Sequence, residues 1–371
     1  MNKRLMVVGL AVVFLLGACS PDSGDKTKAD AGAGKAAKAE KPKKAGNPYK
    51  ALVAVEIGKH AKSATHVAFS KDGQFMVTTG KDKLVKVWDA AGGKLLKDLK
   101  GHTGDVMMAA FSPDGQLVVS ASSDETARVW DWKKGKCLKV LKEKPIKKKK
   151  LTDEELAALA AIPPPQVAWA AFSSDGKSVI TASDDFKLKI WDVKTGKKGI
   201  EMEDLGCRQR RVYRRVDAAG WLSSAGCMDD GIAYLRFWDD KGMQTGSYGD
   251  EDHDAHYIAI DRSTKFMVTA DGSMSMSVYS AQGSLLKRLL VGAYHFCLEF
   301  GPGDKTFLVG TDGGKVFVFD TDTWRRIGSL NVGEIVAIDG MALNTADNSL
   351  TVAMRNGKIM RFSQPIKLPA K

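Results

Sequence analysis

The 371-residue sequence has no nucleophile elbow, phosphate-binding glycine loop or metalloprotease motif, and its six histidines (His60, His66, His102, His253, His256 and His295) are scattered. These gaps remove the local signatures of acyl transfer, nucleotide hydrolysis and zinc hydrolysis, so no catalytic residue, metal ligand set or cofactor is assigned. Long apolar runs are scarce too. The run at the start, "LMVVGLAVVFLL", is too short to span a bilayer comfortably. Nor is the charge extreme: 56 Lys+Arg against 44 Asp+Glu leave a net +12. That balance favours acidic partners or anionic surfaces without identifying one.

What is present begins with an export signal. Lys3 and Arg4 precede the apolar run, and the small residues Gly17 and Ala18 lead to Cys19. This arrangement resembles the lipobox of bacterial lipoproteins, which implies cleavage after residue 18, a lipid-bearing Cys19 and a membrane anchor. In that family Ser20 after the cysteine implies the outer membrane, with the protein on its periplasmic face. Residues 19–48 are rich in Ala, Lys and Gly without apolar periodicity. They read as a disordered tether, with a typical reach of roughly 30 Å.

Four cysteines remain, Cys137, Cys207, Cys227 and Cys297. Export permits disulfides. Cys207 and Cys227 flank one predicted hairpin, where a bridge and two free thiols are both open readings. Cys137 and Cys297 fall inside predicted strands and read as buried thiols.

The organisation of the rest comes from a repeated pair. Trp88-Asp89, Trp130-Asp131, Trp191-Asp192 and Trp238-Asp239 are followed by Tyr279-Ser280, Phe319-Asp320 and Phe362-Ser363, at spacings of 42, 61, 47, 41, 40 and 43 residues. A period near 40–45 residues points to a propeller in which each period supplies one four-stranded blade. The spacing of 61 marks an insertion. Within the second period, "DVMMAAF", "QLVVSAS", "TARVWD" and "KCLKVLK" read as four strands, and "SPDG" as a type I turn with Pro113 at its second position. The apolar runs do not alternate cleanly, as expected of strands covered on both faces.

These residues resemble the WD40 repeat family from Ala51 to Phe362. The resemblance implies an all-β, seven-bladed propeller over residues 49–371, after a signal peptide at 1–18 and the tether. It also implies a buried network of His, Ser/Thr, Asp and Trp that holds each blade together. The second blade supplies His102, Ser120, Asp124 and Trp130. The first supplies His60, Thr78, Asp82 and Trp88, and the third keeps Thr181, Asp185 and Trp191 but has lost its histidine to the insertion. Blades four to seven depart from the pattern. "ALVAVEI" (Ala51–Ile57) precedes the first complete repeat and the last repeat stops after three strands, so the early strand is expected to close the seventh blade.

Departures from the repeat are the places to look for function. Residues 143–166 form the insertion, with a short helix capped by Thr152 and Glu155 and ended by three prolines. "CRQRRVYRR" is a second departure, read as the connection into blade four. Lys142–Lys150 and Arg208–Arg215 each carry a net +5. Lys147, Lys148, Lys149, Lys150, Arg208, Arg210, Arg211, Arg214 and Arg215 are the candidate partner-binding residues. The alternative is a solvated charge run, paired in part with "GDEDHDAH". Arg215 aligns with an inner-strand position that other blades fill with alanine and blade six with Glu299. Channel lining and a structural ion pair both fit it. "DEDHDAH" lacks a diagnostic metal spacing and reads as a solvated acidic loop. Met274 and Met276 read as strand packing.

The expectation is a membrane-tethered, non-enzymatic scaffold docking a protein partner. Binding of an anionic polymer or lipid headgroup is a second reading, and an enzyme with a channel-mouth site a third. Nucleic acid is not expected of an exported chain.

Overall fold

Runs such as "FMVTTG" and "LVVSAS" place β-branched and small residues where strands are covered on both faces, and they become strands buried at all but their first residue (Phe75–Gly80 and Leu117–Ser122). The structure is a computed structural model that describes residues 47–142, 166–185, 187–202, 208–214, 221–226, 233–239, 243–250, 257–263, 265–270, 274–280, 283–362 and 366. Two units are distinguished, Met1–Ala45 and Gly46–Lys371. The signal peptide, Cys19, nearly all of the tether and the helix expected within 143–166 lie outside the described residues. So do Cys207, Cys227, Arg215, Lys147–Lys150 and residues 251–256 of the acidic loop.

The described residues form seven four-stranded antiparallel sheets. Sheets one to six each use four consecutive strands, beginning with Ala64–Phe69, Val106–Phe111, Val167–Phe172, Arg208–Arg214, Tyr257–Ile260 and His295–Phe300. Sheet seven joins Ile338–Leu343, Leu350–Met354 and Lys358–Phe362 to Ala54–Lys59. The early strand lies antiparallel to the last one, with Val55 opposite Arg361 and Glu56 opposite Met360. It begins three residues later than Ala51. Each inner strand neighbours the next: Ala64–Phe69 lies beside both Val106–Phe111 and Ile338–Leu343, and His295–Phe300 lies beside Tyr257–Ile260 and Ile338–Leu343.

The cores sit between sheets. Val77, Val85 and Val87 of sheet one pack with Ala109, Val118 and Trp130 of sheet two. Val268 and Val278 of sheet five meet Phe300, Phe307 and Phe319 of sheet six. Met76 and Trp88 of sheet one meet Ala353 and Ile359 of sheet seven. Each fully buried aliphatic side chain contributes about 1.5–3 kcal/mol. Trp130 and Phe362 are among the largest fully buried side chains.

The segment ahead of the early strand is fastened to sheet six. The Asn47 side-chain amide donates to Ser329 O at 2.7 Å, and its carbonyl accepts the Ser329 N–H at 3.1 Å. Tyr49 is buried in the core between sheets six and seven. Gly328 makes room for it, since a Cβ there would stand 2.6 Å from the Tyr49 ring. Val53 then bridges Asn331 in parallel.

One expectation changes here. "CRQRRVYRR" was read as a connection, but Arg208–Arg214 is the inner strand of sheet four, paired with Trp221–Gly226. Pairing with the next strand, not the charge of the run, decides its conformation. Arg208, Arg210, Arg211 and Arg214 are thus strand residues, not loop residues.

Candidate functional site

The polar network is built from the turn before each third strand. In sheet two, Asp124 Oδ1 accepts the Thr126 N–H at 3.1 Å, holding Glu125 in the left-handed region at φ 67. Asp124 Oδ2 accepts from His102 Nδ1 at 2.8 Å and from the Thr103 N–H at 3.0 Å. His102 Nε2 lies 2.7 Å from Ser120 Oγ, which accepts the Trp130 indole N–H at 2.8 Å. A carboxylate only accepts and an indole only donates, so a neutral imidazole with its proton on Nδ1 satisfies every member. The chain of donors then runs from Trp130 through the Ser120 hydroxyl to His102 and on to Asp124.

Sheet one repeats the arrangement. His60 Nδ1 is 2.9 Å from Asp82, His60 Nε2 is 2.8 Å from Thr78 Oγ1, and Trp88 Nε1 donates to the same hydroxyl at 2.8 Å. Burial alone would raise the Asp82 and Asp124 carboxyls. The hydrogen bonds from the partner histidine and the backbone donors outweigh it and hold both below the ordinary aspartate range. Each member is consumed in tying the entry of an inner strand to the turn between the second and third strands.

Sheet three has the hydroxyl and the indole, with Trp191 Nε1 donating to Thr181 Oγ1 at 2.9 Å. Among the described residues, no imidazole stands at Asp185. The buried Lys189 ammonium pairs with that carboxylate instead. A cavity of about 30 Å³ lies beside Thr181, Ser183, Lys189 and Trp191. Sheets one and two put an imidazole next to the equivalent hydroxyls.

The inner strands surround a larger cavity of about 520 Å³, with His66, Trp169, Arg262, Glu299 and Asp339 among its lining residues. Arg262, Glu299 and Asp339 have structural partners. Arg262 donates to Gly301 O at 3.1 Å and to Asp304 at 3.0 Å, and stands 3.8 Å from Glu299. Asp339 receives two hydrogen bonds from Arg355, at 2.7 and 3.2 Å. Glu299 therefore lines this cavity beside an arginine of sheet five; Arg215 lies outside the described residues. Among the described residues, no group of three or more His, Cys, Asp or Glu is arranged to hold a metal ion. Cys297 is buried, while Cys137 is only partly so, with burial pushing its thiol pKa up.

Sequence reasoning missed an apolar surface. At the end of the sheets where each outer strand leads into the next inner strand, Met274, Tyr294 and Ile335 are 41%, 51% and 92% exposed. Met274 was expected to pack within a strand; it instead sits on the connection before Ser275–Ser280, and only Met276 is buried. The three lie on connected loops. Val291 N–H donates to Met274 O at 2.7 Å, Asp312 N–H to Tyr294 O at 3.0 Å, and Val332 N–H to Gly314 O at 3.1 Å. Gly314 lies directly against Glu334, the neighbour of Ile335. A single exposed apolar residue is ordinary, but a connected row of large ones marks a contact surface. The signal available in the sequence was an unneeded apolar residue within "VGAYHF" and "NVGEIV".

Residues 53–89, 93–131 and 165–192 match the family described as WD domain, G-beta repeat. WD40 repeats are thus present, on a chain whose described residues fold as antiparallel four-stranded sheets. Similarity to individual proteins is narrow. The chain is 38% identical over 47 residues to eukaryotic translation initiation factor 3 subunit I of Eremothecium gossypii, and equally to those of Xenopus tropicalis and Xenopus laevis. That stretch covers 13% of this chain and 14% of each relative. WD40-repeat proteins are generally non-enzymatic scaffolds, and no catalytic family is indicated.

Proposed function

We propose that this protein is a membrane-tethered scaffold: a closed seven-bladed propeller, carried on a lipid-bearing Cys19, that docks a protein partner on the loops of sheets five to seven. The observation that carries the docking role is the exposure of Met274, Tyr294 and Ile335 on connected loops at one end of the sheets. Tyr is enriched at interface hot spots, and large apolar residues left exposed on connected loops suit a protein surface. The closed ring is supported by the pairing of Ala54–Lys59 with Lys358–Phe362 and by the neighbouring inner strands. The anchor is supported by the sequence before Cys19 alone.

The test places a photo-crosslinking residue at position 335 of the full chain, with position 116 in a turn at the opposite end as control. A discrete protein adduct at 335, absent at 116 and lost when Tyr294→Asp is added, supports the docking role. Equal adducts at both positions, or none at 335, overturn it. For the anchor, Cys19→Ser is expected to move the chain from the membrane fraction to the soluble fraction and to abolish labelling by a palmitate analogue.

A further inference from the structure

The outer strand of sheet five, Leu285–Leu290, is unlike the other outer edges. Its sequence is LLKRLL, and every residue except Leu289 is exposed. Leu285, Leu286 and Leu290 are 46%, 52% and 82% exposed. It ends its sheet, with no strand on its far side among the described residues. Other outer strands break the pattern with a carboxylate or expose fewer large side chains. Leu95–Leu99 carries Asp98, which takes up Lys86 at 2.9 Å, and Lys198–Met202 carries Glu201. Lys136–Leu141 exposes two large apolar residues, Leu138 and Val140. The molecule also shows how such an edge is covered, because residues 47–53 lie along the outer strand of sheet six.

Charge decides what fits. Lys287 and Arg288 stand in the middle of the strand, with leucine pairs on either side. A second copy is disfavoured: in the antiparallel register that pairs all six residues, Lys287 of one chain faces Arg288 of the other. Like charges directly opposite each other oppose sheet formation. A purely apolar strand is discouraged by the same two cations, which is how natural edges resist unspecific pairing. A strand with carboxylates at its centre and aliphatic residues around them meets both features. We propose that Leu285–Leu290 is a strand-addition site for an extended segment of a partner protein carrying adjacent acidic residues flanked by aliphatic ones. Main-chain hydrogen bonds give the attachment, and the Lys287–Arg288 pair gives the choice of partner.

The probe is a labelled, end-blocked decapeptide with a central Glu-Glu flanked by Val and Leu; its counterpart has Lys-Lys at the centre. Anisotropy titrations against the full chain are expected to show the acidic peptide binding about tenfold tighter, since opposite-charge and like-charge cross-strand pairs differ in sign. Leu286→Ser with Leu290→Ser weakens the acidic peptide severalfold, and Lys287→Glu with Arg288→Glu inverts the preference while circular dichroism stays unchanged. Equal binding of both peptides, no binding of either, or a preference that survives charge reversal overturns the proposal. So does self-association of the chain that Leu286→Ser with Leu290→Ser abolishes.

Discussion

Sheets one and two differ from sheets six and seven in how they hold the position between the second and third strands. In the first pair, a tryptophan indole needs an acceptor and finds Thr78 or Ser120. In the second pair, the tryptophan is replaced by Phe319 or Phe362, and the residue two beyond its cross-strand neighbour is Val309 or Val352, both fully buried. Donor and acceptor have gone together. Removing one partner of a buried hydrogen bond strands the other, whereas replacing both with apolar groups is nearly neutral. Sheets six and seven are therefore not degraded repeats. They reach the same packing by a different route, and the exposed loops at Tyr294 and Ile335 lead into them.

Four measurements break or sharpen this contrast. Ser120→Val is expected to cost the most, roughly 3 kcal/mol in chemical denaturation, because it strands both the Trp130 indole and His102. Thr181→Val in sheet three strands the Trp191 indole, with no imidazole on that hydroxyl, and is expected to cost about 1–2 kcal/mol. Val309→Thr in sheet six adds a hydroxyl without its indole partner and costs about 1 kcal/mol. A loss from Val309→Thr as large as that from Ser120→Val breaks the contrast.

The smallest effect is in acid. Asp82 and Asp124 have folded pKa values below the unfolded one, so their contribution is complete above the unfolded value and lost as pH falls towards the folded one. Stability is expected to be level above about pH 5 and to drop below about pH 4. Asp82→Asn with Asp124→Asn flattens that drop in denaturation curves; an unchanged slope contradicts the assignment.

The Trp-Asp pairs made the sheets legible because an aromatic at the end of each third strand recurs whichever network surrounds it. His60, His102, Asp82 and Asp124 were legible through the resemblance to WD40 repeats, which implies their roles. Lys189 was not, because a lysine that replaces a distant histidine as the partner of Asp185 leaves no local trace. Arg208–Arg214 was misread because charge suggested a solvent-facing loop, while strand formation is settled by cross-strand pairing. The exposed row of Met274, Tyr294 and Ile335 depends on loops of three different sheets meeting, which no window of sequence contains.

The docking surface rests on the proposed closure of the ring of sheets where the early strand meets the last. Cysteines placed at Val55 and Arg361, directly opposite each other in that pairing, test the seal. The oxidised protein is expected to yield a single disulfide-linked peptide joining positions 55 and 361, with raised resistance to denaturant. Two free thiols at those positions under oxidising conditions, in a chain that remains folded, would contradict it.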